Sequence, residues 1–314
     1  MTIFINSNVD FRKYESNDYK IPEIAYVKYK GIKNYPVIIW SKFMNNEIKI
    51  RKLDKDRYIY LPTGEIMLSK HIKNRSEDIN YVIVSVGKTR DLLNHNFEGH
   101  INEKWIILTY KENMIDVKKL YNDTKNFIAM LRRKYGWFEY VIVPEPQGRG
   151  AWHINLIAKF KNNPGKLDNN NIIEPMWGHG WTKIKRIYNS VGLGIYLSVY
   201  LTDLEFNDNN VKLAWESGMK LDDINKTIDR IVEGKSKKFI KGARLYLYPP
   251  HFRMFRKSKG IFYPPEDEGG YKEIKKRNNL EKVNPSYGNR TSIYDDDAIL
   301  VNEIIRENYN LKVL

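Results

Sequence analysis

The stretch LRRKYGWFEYVIVPEPQGRGAWHINLIAKF, residues 131–160, decides how this chain folds. Its WFEYVIV run (137–143) is short, β-branched and aromatic, which reads as a strand. PEPQGRGA (144–151) is dense in Pro and Gly and reads as a tight turn. AWHINLIAKF (151–160) then alternates with a strand's period. Trp152, Ile154, Leu156, Ala158 and Phe160 share one face and are predicted core, while His153 and Asn155 stand side by side on the other, pointing away from it. Just upstream, WIILTY (105–110) is another apolar strand candidate. Between the two lies a helix pattern: Asp116 as N-cap, Val117, Leu120, Thr124, Phe127, Ile128 and Leu131 at helical spacing, and Gly136 as a stop. Strand, helix, strand, turn and strand in that order predict an α+β unit with an antiparallel sheet.

Outside this core the pattern is weaker. Val37–Trp40, Tyr58–Leu61 and YVIVSVG (81–87) read as strands. Residues 269–291 are rich in Asn, Lys, Gly and Pro and read as a linker, and DDDAILVNEIIRENY (295–309) as a helix opened by Asp. The expected division is residues 1–80 as a region without assigned role, 81–265 as the domain carrying chemistry, and 266–314 as linker and helix.

Composition narrows the function classes. The 314 residues hold 53 Lys+Arg against 38 Asp+Glu, a net charge of +15, so a polyanion is the leading partner class. The absence of Cys removes disulfides, thiolate metal sites and cysteine nucleophiles, and fits a reducing cytoplasm. No stretch approaches the roughly 20 apolar residues of a membrane helix, and the opening MTIFINSNVDFRKYES carries no signal-peptide core.

Two constellations can do chemistry. A hairpin that returns on PEPQGRGA brings Glu145 close to His153 and Asn155, and a carboxylate, an imidazole and an amide oxygen together suit Mg²⁺ or Mn²⁺. Taken alone, the three are equally at home in an ordinary turn and exposed strand. VGLGIYLSVYLTDLEF (191–206) reads as a helix after a glycine pair, with Tyr196 and Tyr200 four apart on one face. A phenol needs activation to attack a phosphodiester; on an amphipathic helix it is also an ordinary packing residue. Residues 234–265 carry nine Lys/Arg and no Asp or Glu. Among them Lys237, Lys238, Lys241, Arg244, Arg253, Arg256 and Lys257 are candidate phosphate contacts, interleaved with Phe239, Tyr246, Tyr248, Phe252 and Phe255, which could stack on unpaired bases. His179, between Gly178 and Gly180, reads as a turn residue.

The ordered runs WIILTYKENM, LRRKYGWFEYVIVPEPQGRGAWHINLI and IYLSVYLTD resemble the three motifs of the HUH-superfamily rolling-circle replication initiators. They are most similar to the Rep proteins of small plasmids of Gram-positive bacteria and of related phages. The resemblance implies an antiparallel sheet of about five strands with flanking helices, similar to RNA-recognition domains. It places metal ligands at Glu145 and His153, Asn155 where the second histidine of the family stands, the nucleophile at Tyr200, and at Tyr196 the residue that helps finish the reaction. It implies site-specific nicking and rejoining of single-stranded DNA through a 5′-phosphotyrosine, with Mg²⁺ or Mn²⁺ as cofactor. The implied partners are single-stranded and origin DNA, a host helicase and a polymerase, with no membrane. The implied setting is the bacterial cytoplasm, with a plasmid or phage as the source. Two departures stand out: Asn155 replaces a histidine, and Val199 and Asp203 replace helix lysines. They keep a catalytically weakened nucleic-acid binder of the same fold in play. A plasmid relaxase shares the chemistry but usually places its tyrosine before the histidine motif.

Overall fold

The computed structural model describes residues 12–43, 50–69, 71–188, 193–194, 197, 200–232, 235–295 and 297–312. The chain forms two compact units, residues 72–263 and residues 1–71 together with 264–314. The flanks that the sequence separated into an N-terminal region and a C-terminal linker therefore build one unit jointly.

In the 72–263 unit, a five-stranded antiparallel sheet runs in the order Thr182–Arg186, Glu103–Thr109, Trp152–Phe160, Phe138–Pro146, Arg256–Lys257. The helix Val117–Tyr135 begins where expected: the Asp116 carboxylate accepts the Lys118 and Lys119 N–H groups. It ends at Gly136, whose φ of 84° favours a residue without Cβ. Leu120, Thr124, Phe127, Ile128 and Leu131 are its buried stripe. The turn after Pro146 closes with Gln147 N–H donating to the Ala151 carbonyl at 2.8 Å. This pairs Glu145 with His153, Val143 with Asn155 and Val141 with Ile157.

Both faces of this sheet are covered, which corrects the expectation that His153 and Asn155 point away from the core. Trp152, Ile154, Leu156, Ala158 and Phe160 are buried as predicted, but Asn155 and Ile157 on the opposite face are only 1% and 0% exposed. Leu193, Leu197 and Leu201, spaced four apart, join the same apolar cluster as Val143 and Ile157. A single strand's alternation shows which residues share a face, not what later packs on it.

YVIVSVG is not a strand but the first half of the helix Ile79–Asn96. Asp78 caps it by accepting the Tyr81 N–H, and Val82, Ser85, Thr89 and Leu92 or Leu93 bury one helical stripe. The seven-residue window stopped before that period could show. A small sheet of Leu204–Glu205, Lys235–Ile240 and Thr227–Val232 completes the unit.

The second unit is a six-stranded antiparallel sheet, in the order Arg12–Ser16, Tyr287–Tyr294, Leu300–Asn308, Val37–Ser41, Tyr26–Lys30, Glu266–Gly270, with a three-stranded meander over Ile50–Lys52, Arg57–Tyr60 and Glu65–Leu68. The expected linker is the strand Glu266–Gly270, the helix Tyr271–Arg277 and the strand Tyr287–Tyr294. The expected tail helix is the strand Leu300–Asn308, paired on both sides. Asp295 does cap, but in a turn, accepting the Asp297 and Ile299 N–H groups. The chain is thus α+β with four antiparallel sheets rather than one central sheet. No helix among the described residues is long and apolar enough to cross a membrane.

Candidate functional site

Glu145 and His153 face each other across adjacent strands, with His153 Nδ1 3.1 Å from Glu145 Oε1. Burial pulls the Glu145 carboxyl upward, but the Arg244 charge, the His153 contact and Asn155 outweigh it and hold the group below the usual carboxylate range. An ionised carboxylate only accepts, so His153 Nδ1 carries the proton. In the neutral imidazole, Nε2 then presents a lone pair. His153 Nε2 and Glu145 Oε2 are both buried and have no hydrogen-bond partner among the described residues. Buried polar atoms are nearly always paired, so these two mark a site that something else completes.

Asn155 lies beside the pair in a fixed orientation. Trp105 Nε1–H, a donor only, donates to Asn155 Oδ1 at 3.0 Å. The amide nitrogen is therefore turned toward Val143 O, at 3.4 Å, and toward the Glu145 carboxylate. Asn155 thus supports the anion as a donor, and its oxygen is committed to Trp105. Among the described residues no three His, Cys, Asp or Glu side chains form a metal-holding group.

Three contributors escaped the sequence reading. Arg244 sits beneath Glu145 at 6% exposure. Its guanidinium donates to the carbonyls of Pro146 and Asp203. It therefore ties the residue after Glu145 to the residue after the tyrosine helix. Tyr248, also buried, points its hydroxyl at Pro144 O at 3.5 Å, and burial, then the Glu145 charge, push that phenol upward against the pull of Arg244. Trp105 completes the set by orienting Asn155. The shared signal, polar residues lacking a place in a helix or strand pattern, is too common to use alone.

The described residues Leu193, Gly194, Leu197, Tyr200, Leu201 and Thr202 are helical. Tyr200 is half-buried and meets Phe239 edge-on, ring centroids 5.7 Å apart. Phe239 shares a strand face with Lys237, which pairs with Glu205 at 3.0 Å, and lies opposite Ile228 in the small sheet. On the same face Arg230 reaches Asp203 at 3.5 Å. The phenol is thus followed along the hairpin by two cations. Tyr196 lies outside the described residues.

The basic segment divides into surface and interior. Lys238, Lys241 and Arg253 are exposed. Arg256 is exposed but lies over the Tyr121 ring at 3.3 Å, and Lys257 donates to Ile261 O at 2.6 Å. Arg244 corrects the expectation of a phosphate contact, because its charge is directed inward. The proposed base-stacking aromatics are corrected too: Phe239, Tyr248 and Phe252 are core, and Trp152 stacks on Phe252 at 4.6 Å. His179 is held against Tyr110 and Trp177 and 3.6 Å from Asp123, a packed position in the turn.

A family model for replication-associated proteins of the ORF2 type matches residues 103–205. The match runs from the start of the Glu103–Thr109 strand to the strand after the tyrosine helix. It contains Glu145, His153, Asn155, Tyr196 and Tyr200 and leaves out the basic segment and the second unit. No curated protein matches the chain. The matched region is consistent with a replication initiator.

Proposed function

We propose that the 72–263 unit is a rolling-circle replication initiator that nicks and rejoins a single DNA strand through Tyr200. The observation that carries this reading is the buried Glu145–His153 pair with its two unpartnered atoms, fastened by Arg244 to the end of the tyrosine helix. A divalent cation, Mg²⁺ or Mn²⁺, fits this donor set: His153 Nε2 and Glu145 Oε2 would hold it, and when bound it withdraws charge from the scissile phosphate.

The chain's own residues do the rest. Glu145 fixes the imidazole tautomer and orientation, as carboxylates behind metal-binding histidines do. Arg244 and Asn155 keep that carboxylate ionised despite its burial. Tyr200 Oη attacks phosphorus, the P–O3′ bond breaks, and the phenolic proton is balanced by protonation of the departing 3′-oxygen. The 5′-phosphotyrosine ester conserves the bond, so attack by a 3′-hydroxyl reverses the step without a nucleotide cofactor. In that return Tyr196 is a second candidate nucleophile. Exposed Lys238, Lys241 and Arg253 supply sequence-independent affinity.

Incubation with a random single-stranded DNA library and Mn²⁺ tests this. The expected product is an SDS-resistant protein–DNA adduct, lost by at least about 1,000-fold in Tyr200→Phe. An adduct that forms equally in Tyr200→Phe contradicts the assignment. A second reading, a binder without catalysis, is favoured by one observation, the commitment of the Asn155 oxygen to Trp105. It predicts DNA binding with no adduct in any metal.

A further inference from the structure

Thr109, the strand neighbour of His153, also lines a cavity of about 640 Å³ at the edge of the sheet. Trp181, Lys111, Arg149 and Glu174 line it as well. Trp181 is 54% exposed, although a ring of its size is normally buried. Its backbone carbonyl accepts both the N–H and the hydroxyl of Thr109, at 2.9 and 2.7 Å, so the ring's base is fixed one strand from Thr109 and two from His153. Gly180 makes this possible: a Cβ there would lie 2.5 Å from Lys111 N and 2.6 Å from Thr109 O. The cavity's cations lie on exposed residues. Lys111 projects from the turn after the strand, and the Arg149 guanidinium is braced on the carbonyls of Tyr110 and Lys111. Glu174 accepts the Thr182 N–H at 3.4 Å and retains further acceptor sites.

An exposed indole, two cations and a carboxylate around a cavity are the elements that hold one unpaired nucleotide. Aromatic faces stack bases, cations hold phosphates, and carboxylates accept from exocyclic amines such as that of cytosine. We propose that this cavity is a nucleobase subsite, in which one unpaired base of the strand stacks on Trp181 beside the His153 pair. Its flanking phosphates rest on Lys111 and Arg149, and Glu174 favours an amino-bearing base over thymine. This rests on the nicking reading but makes a separate demand, on binding rather than cleavage.

The test is fluorescence anisotropy with labelled dC12 and dT12 in EDTA, where no cutting occurs. Wild type is expected to bind dC12 more tightly than dT12. Trp181→Ala should lose about tenfold on dC12 while Trp181→Phe retains most of the affinity. Glu174→Gln should erase the dC12 preference. A dT12 analogue carrying 5-iodouracil should photocrosslink to Trp181. If Trp181→Ala binds as wild type does and the crosslink maps elsewhere, the subsite is refuted while adduct formation with Mn²⁺ stands on its own. If wild type binds neither oligonucleotide, the subsite and the nicking reading fall together.

Discussion

Two buried carboxylates, Glu145 in one unit and Glu307 in the other, are 3% and 5% exposed, yet they end in opposite states. Glu307 is saturated: Tyr271 donates to it at 3.0 Å and Tyr309 at 2.7 Å. Glu145 holds His153 on one oxygen and leaves the other unpartnered among the described residues, next to an imidazole nitrogen in the same condition. A carboxylate whose acceptors are filled by phenols behaves as scaffold. One that is kept charged, half-filled and paired with a histidine is prepared for a ligand. Burial alone does not separate the two; the hydrogen-bond account does.

The largest expected effect falls on Arg244. Arg244→Ala leaves Glu145 charged and buried without its main counter-charge, which should cost about 3–5 kcal/mol in denaturant unfolding. If Arg244→Ala instead leaves stability intact and weakens DNA binding, the residue is a surface contact and the contrast is misdrawn. Glu307→Gln should be milder, about 1–3 kcal/mol, because an amide oxygen still accepts from one phenol. Adduct formation per folded molecule should not change.

The two sites should also fail at opposite ends of the pH scale. The Glu145 carboxyl is lowered from 4.5, so the folded state binds its proton less readily than the unfolded chain. Its contribution is present above that value and is lost as pH falls below it. Tyr271 and Tyr309 are raised from 10.0 by burial and by Glu307, so their contribution is complete below that value and is lost as pH rises past it. In thermal unfolding across pH, Glu145→Gln should flatten the acid limb and Tyr309→Phe the alkaline one. A swap of the two limbs breaks the comparison.

The smallest effect concerns exposed cations. Lys238→Ala and Lys241→Ala should each reduce the slope of log affinity against log salt for single-stranded DNA by about 0.7, with stability unchanged. An unchanged slope places the strand elsewhere.

Much of the Glu145 region was legible because its determinants are local. The Asp116 cap, the Gly136 stop and the alternation through Trp152–Phe160 are each set within a few residues. A turn of Pro and Gly then forces Glu145 opposite His153. What escaped is long-range. Arg244 reaches Pro146 across 98 positions and Tyr248 reaches Pro144 across 104. Their aromatic and basic neighbours read as a nucleic-acid surface until packing turned several of them inward. The tail misread for the same reason: its ladder partners, Tyr287–Tyr294 and Val37–Ser41, outweigh a helix-like opening. YVIVSVG misled differently, since β-branched content outweighed a helical period that emerges only over the whole of Ile79–Asn96.

The central claim is that Glu145 and His153 form a divalent-cation site, and calorimetric titration of the whole chain with Mn²⁺, without DNA, tests it most directly. One ion should bind per chain, and His153→Ala should abolish that binding while Glu307→Gln preserves it. Mn²⁺ binding of equal stoichiometry and affinity in wild type and His153→Ala would contradict the account.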